Sequence, residues 1–160
     1  MFREMILQTE VNVELKKCSD LSNFIKDKLV KLEGQCISNG FIKKGSIEII
    51  SRSLGETTIY NNTSSIYYHV TFKALICNPQ INEEIECKME KKNKMGILAS
   101  AYSKNEKLPF RVIIARQHHE SELWKDKIDS MNTVTTFNAS VIGSRFNIQD
   151  KMISVIAKFE

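Results

Sequence analysis

The stretch from Tyr67 to Cys77 constrains the fold more than any other. It alternates large apolar or β-branched residues, placing Val70, Phe72, Ala74 and Ile76 on one face and His69, Thr71, Lys73 and Leu75 on the other. That pattern predicts a strand long for a globular protein. Asn78-Pro79 must stop it, because proline donates no ladder hydrogen bond and pushes its predecessor away from helix. Beyond the break, Glu84 to Lys91 alternates again, with Ile85, Cys87 and Met89 on one side. Lys92-Asn93-Lys94 is polar enough to turn. Met95-Gly96-Ile97-Leu98 then returns as a second strand, with a glycine where a barrel strand can bend sharply. The chain therefore reads as two small domains, residues 1–79 and 80–160, with the boundary at Asn78 to Asn82.

The first half begins with a strand over Phe2–Leu15, where Met5, Leu7, Val11, Val13 and Leu15 fall mostly at alternate spacing. A helix follows over Leu21–Leu32. Its stripe is Leu21, Phe24, Ile25, Leu29 and Leu32, with Ser19 as the expected N-cap and Gly34 just past the end. Strands are predicted at Gln35–Asn39 and Ser46–Ser53, with a turn at Gly40–Gly45 between them. A short strand is expected at Thr58–Tyr60, and the long strand from Tyr67 closes the half. This order predicts an α+β arrangement, one helix on a small antiparallel sheet. In the second half, strands are expected at Glu84–Lys91, Met95–Ala101, Phe110–Ala115, Thr136–Gly143 and Lys151–Phe159. His118–Met131 is expected to hold a short helix. Five strands with a helical excursion between the third and fourth is the pattern of an OB barrel.

No catalytic set emerges. The chain lacks a glycine-rich phosphate loop, an H-E-x-x-H pair, a nucleophile elbow and a D-x-D cluster for magnesium. Cys18, Cys36, Cys77 and Cys87 have no C-x-x-C spacing and read as buried thiols of a reducing compartment. Adjacent histidines, His118 and His119, cannot easily reach one metal from a strand or a helix, so a surface role beside a ligand path is expected instead. No cofactor and no metal are called for. No apolar run approaches the ~20 residues a spanning helix needs, and the first residues do not read as a signal peptide. An intracellular location, with no membrane partner, is expected. The net charge of +4 divides evenly about Pro79: ten basic against eight acidic residues before it, thirteen against eleven after it. Neither half is basic enough to demand nucleic acid on charge alone, so such a site must be a local patch.

The ordered series of segments resembles a known family. "YHVTFKALICNP" followed by "NEEIECKMEKKNKMGIL" is similar to the middle of the stalk subunit of multisubunit DNA-dependent RNA polymerases. That family includes the seventh subunit of eukaryotic RNA polymerase II and its archaeal counterpart. Leu32-Glu33-Gly34-Gln35-Cys36, Gly40-Phe41-Ile42, Ile49 to Gly55, Ser140 to Arg145 and Ile153 to Ala157 extend the likeness across both halves. Two places depart from it: the Lys43-Lys44-Gly45 turn, and a tip over Glu56 to Ser65 without proline or glycine. The Asn-, Ile- and Lys-rich composition fits a divergent member, such as one from a large cytoplasmic DNA virus.

The resemblance implies an N-terminal RNP-like α+β domain followed by an OB fold of the S-one type. It implies a non-catalytic subunit whose first domain docks on the polymerase core near the clamp, and whose second domain meets the emerging transcript. The implied partners are the largest polymerase subunits, a small clamp-side core subunit, a stalk partner of the fourth-subunit type and nascent RNA. Docking is expected at the first strand and the loops around Gly40 and Gly55, through Phe2, Gly40, Phe41 and Gly55. RNA contact is expected through Lys88, Lys91, Lys92, Lys94, Arg111 and Arg116. Stacking positions after Lys94 hold Met95 and Ile97 rather than aromatics, with Tyr102 and Phe110 as substitutes and Phe110 also readable as core, so weak and non-specific binding is expected. The competing reading of the lysines is a solvated hairpin whose charge Glu86 and Glu90 offset. The competing function is a free-standing OB-fold RNA-binding factor of translation or RNA decay.

Overall fold

The structure is a computed structural model that describes residues 1–60, 63–119, 126, 130 and 135–159; at 16–18, 60 and 63 only the backbone is described. The chain divides into two compact units, Phe2–Cys77 and Asn78–Glu160. The segment after Cys77 belongs to the second unit because its backbone is stitched to the strand of Thr136–Arg145. There Asn82 N–H donates to Val141 O at 2.8 Å, and Val141 N–H to Glu83 O at 3.0 Å.

The first unit is built around its longest strand. Its elements are β1 (Phe2–Glu14), a 3-10 helix (Leu15–Asp20), α1 (Leu21–Val30), β2 (Cys36–Ile37), β3 (Gly40–Ile42), β4 (Glu48–Arg52), β5 (Glu56–Tyr60) and β6 (Thr63–Cys77). β1 pairs with β6 along its whole length, from Phe2 opposite Cys77 to Glu14 opposite Ser65. On its other side β6 carries β3, β4 and β5 in turn, and β2 pairs with β3; every pairing is antiparallel. Alternation decides which face is buried. Val70, Phe72, Ala74 and Ile76 of β6 form the core with Val11 and Val13 of β1, Ile42, Tyr68, and Ile25 and Leu29 of α1.

This corrects the expected fold class. Strand dominates the first unit, with six strands against one ten-residue α-helix among the described residues, and an α+β RNP-like domain is not what the chain forms. The physical reason lies in β6. At fifteen residues it offers enough ladder to hold three short strands end to end, so Gly40–Ile42, expected within a turn, becomes β3, and the short strand expected at Thr58–Tyr60 lengthens to β5. The helix also stops at Val30 rather than Leu32. Its N-cap is Asp20, not Ser19, and the carboxylate of Asp20 accepts from the Asn23 side chain at 2.7 Å.

The Lys43-Lys44-Gly45 turn is held from the helix exit. The Glu33 carboxylate accepts Gly45 N–H at 2.8 Å and Ile47 N–H at 3.0 Å. Ser46 Oγ donates to Lys43 O at 2.6 Å and accepts Leu75 N–H at 3.2 Å, tying the same turn to β6.

The second unit is a closed five-stranded barrel. Its strands are β7 (Glu84–Asn93), β8 (Gly96–Ser103), β9 (Glu106–Ala115), β10 (Thr136–Arg145) and β11 (Ile153–Phe159). Around the barrel the order is β7-β8-β9-β11-β10, with β9 and β11 parallel and the other pairs antiparallel. This closure is consistent with an OB-fold-like barrel. The inward residues are the alternate ones: Ile85, Cys87 and Met89; Ile97, Ala99 and Ala101; Leu108, Phe110, Val112 and Ile114; Ile153, Val155, Ala157 and Phe159. A 3-10 helix covers Arg116–His118, and the rest of the predicted short helix lies largely outside the described residues. Among the described residues no helix is long and apolar enough to cross a membrane.

Candidate nucleic-acid interface

The β7–β8 hairpin tip is built by one side chain and one glycine. Asn93 Oδ1 accepts Met95 N–H at 2.9 Å and Gly96 N–H at 3.0 Å, which closes the Lys94-Met95 turn. Gly96 has φ +153°, and an added Cβ would lie 2.1 Å from Ile114 O. Only glycine lets β8 start that close to β9. Arg116 N–H then donates to Met95 O at 3.0 Å, fastening the end of β9 to the tip.

A register shift in β7 sets where the lysines stand. Met89 lies opposite Ala99, but Lys91 lies opposite Leu98, so Glu90 is the extra residue of a β-bulge. Without the shift Lys91 would continue the inward series of Ile85, Cys87 and Met89. With it, Lys91 shares the outer face with Leu98, which in turn lies opposite Ile113. The result is a groove of about 680 Å³, within the ~300–1,000 Å³ usual for binding clefts. Lys91, Lys92, Lys94 and Arg116 supply its cations, and Met95, Leu98, Ile113 and Ala115 its apolar lining. Met95 is 81% exposed and Ile113 41%, so apolar surface stands open beside the charge.

Of the two anions expected to offset these lysines, Glu86 and Glu90, the second is engaged elsewhere. Glu90 accepts a hydrogen bond from Ser100 Oγ and a 3.2 Å contact from Lys107 Nζ. The Ser100 hydroxyl, and after it Lys107, hold its carboxyl below the usual carboxylate range. Among the described residues no ion pair engages Lys91 or Lys94.

The structure thus brings together Lys91, Lys92, Lys94 and Arg116. Lys88 and Arg111 stand outside the groove, on the row where Lys88, Ser100 and Arg111 lie opposite one another, with the Glu90 carboxylate close by. Two expected stacking positions fail: Ile97 and Phe110 are buried in the barrel, because each falls on the inward phase of its strand. Tyr102 is half-buried at the far end of β8. Leu98, Ile113, Asn93 and Gln117 were not singled out from the sequence. Aliphatic residues at alternate spacing read as core there, and nothing in E-C-K-M-E-K-K announces a bulge.

His119 is not at the surface. It is 6% exposed, with Nδ1 3.1 Å from Ala115 O and Nε2 accepting Phe159 N–H at 3.0 Å. That pair of contacts makes it a neutral Nδ1–H tautomer which ties the end of β11 to the end of β9. Burial, as the largest influence, pushes its pKa below the ordinary histidine value. Burial likewise pushes the Cys87 thiol up to about 12, so it stays protonated. Among the described residues no group of three or more His, Cys, Asp and Glu side chains could hold a metal ion.

The expected docking residues fall in two places. Phe2 and Phe41 both lie opposite Cys77, next to Gly40, and Lys43 Nζ stands 5.0 Å above the Phe2 ring. Gly55 precedes Glu56, which lies opposite Tyr67. Ten residues of β6 separate these positions, about 33 Å of strand, so they do not make one site. Leu54, next to Gly55, and Ile59, further along β5, are both exposed apolar side chains. Comparison with family models and with curated proteins finds no match for the chain.

Proposed function

We propose that the barrel is an OB-type module which binds single-stranded RNA. We further propose that the chain is a non-catalytic stalk subunit of a DNA-directed RNA polymerase, holding emerging transcript beside the core. The observation that carries the RNA reading is the groove itself: four cations, Lys91, Lys92, Lys94 and Arg116, around an open aliphatic lining at the first barrel hairpin. Phosphates meet the cations, and bases pack on Met95, Leu98 and Ile113 without hydrogen-bond readout, which makes the binding sequence-independent and sensitive to salt. The polymerase assignment rests on the family resemblance of the segments. It is supported by a first unit that has its own core and exposed apolar side chains at Leu54 and Ile59 suited to protein contact.

Gentle affinity purification of the tagged chain from its native cells tests the assignment. Stoichiometric recovery of two very large polymerase subunits is expected. A closed barrel with a core of its own also suits a free-standing RNA-binding factor. Recovery of the chain alone, or with ribosomal or decay proteins, would replace the polymerase reading with that one. Loss of core association on Leu54→Asp, with RNA affinity unchanged, would separate the two units' roles.

A further inference from the structure

Among the described residues, the longest edge that the first unit's strands leave open is that of β1. β1 is the end strand of its sheet: it pairs with β6 on one side, and among the described residues no strand pairs with the other. Thirteen residues is a long strand to pair with another on one side only, since each outward N–H and C=O of an edge is a template for another chain. Edges left for solvent are normally guarded by charge. Here the guard is broken, because Ile6, in the middle of the solvent face, is 68% exposed.

The side chains around Ile6 say what fits. The register from Phe2 to Glu14 has no shift, so Glu4, Ile6, Gln8 and Glu10 share one face, all of them exposed. Glu4 and Glu10 lie about 20 Å apart along the strand. The nearby cation Lys73 is bonded to Glu48 at 2.9 Å, and the His69 ring stands 3.7 Å from Glu10. A second copy paired symmetrically about Leu7 would set Glu4 opposite Glu10 twice, and opposed like charges weaken a strand pair; only a basic partner places opposite charges against both acids at once.

We propose that the open edge of β1 receives an extended basic segment of a partner protein as an added antiparallel strand, with cations opposite Glu4 and Glu10 and an apolar residue opposite Ile6. Antiparallel is the sense of every pair already in this sheet. Backbone hydrogen bonds supply the affinity, and the alternate side chains supply the selection. The proposal concerns the first unit alone and does not depend on RNA binding by the barrel.

The test uses the full chain and the peptide Arg-Thr-Gln-Thr-Ile-Thr-Arg, followed by amide hydrogen exchange with NMR readout. Saturable binding is expected, with new protection at alternate amides of β1 and none gained in β6. Glu4→Lys with Glu10→Lys should weaken that binding about tenfold or more. The same variant should take the peptide with glutamate in place of both arginines, which shows that its fold is intact. No saturable binding, binding without protection in β1, or equal affinity of the charge-reversed chain for the arginine peptide would each overturn the proposal. Protection of β1 that grows with protein concentration in the absence of peptide would overturn it in favour of a second copy.

Discussion

Four cations line the barrel groove, and the salt dependence of RNA binding should count them. For single strands the slope of log affinity against log salt is about −0.7 per phosphate neutralised. Contacts from Lys91, Lys92, Lys94 and Arg116 therefore predict a slope of about −2.8, and affinity falling about 50-fold between roughly 50 and roughly 200 mM salt. Replacing Lys91, Lys92 and Lys94 together by alanine leaves Arg116, for which the slope is about −0.7 and the loss over the same range only about threefold. These three side chains are exposed, so the triple variant should still unfold cooperatively, within a few degrees of the parent. Lys104, in the turn at the opposite end of β8, is the control; Lys104→Ala should keep the parental slope. Fluorescence anisotropy of a labelled oligouridine, titrated at several salt concentrations, measures both slopes. Equal slopes for the parent and the triple variant would refute the placement of phosphate contacts in this groove.

Gly96→Ala should destabilise the barrel by about 1–3 kcal/mol in urea unfolding, because the new methyl meets Ile114 O and the left-handed backbone also resists it. Glu33→Ala strands two amide donors, Gly45 N–H and Ile47 N–H, and should cost about 1–2 kcal/mol at a partly buried turn, read as a lowered unfolding midpoint. His119 has a folded-state pKa below its unfolded value, so the unfolded chain binds the proton first as pH falls. Its stabilising contribution is complete above the ordinary value near 6.5 and is lost as pH drops through the depressed folded value. Thermal melts from pH 8 to about 5 should therefore fall more steeply for the parent than for His119→Gln, whose side chain does not titrate.

The barrel was legible because its strands obey a period of two between clear turns. Ile85, Cys87 and Met89, and Ile153, Val155 and Ala157, are inward as their spacing predicts. Phe110 was ambiguous between core and ligand face until the phase of β9 decided it. The groove was legible only as a cluster of lysines. Its shape depends on the shift at Glu90, and a bulge has no local signature when the residues around it are all polar or alternating. The first unit misled for a different reason. Its helix and every strand but β3 were visible one by one, but the share of strand depends on how many short segments a fifteen-residue β6 can pair, which is a tertiary property. His119 was hidden because its partners, Ala115 O and Phe159 N–H, are backbone groups, one of them forty residues away.

The central claim is that single-stranded RNA lies in the groove between the β7–β8 hairpin and the end of β9. Photo-crosslinking of the full chain to an oligonucleotide carrying 4-thiouridine, with the attached peptides identified by mass spectrometry, tests it most directly. The account predicts adducts in Lys91–Leu98 and Ile113–Gln117. Adducts confined to the first unit, or to the Ser103–Glu106 end of the barrel, would contradict it.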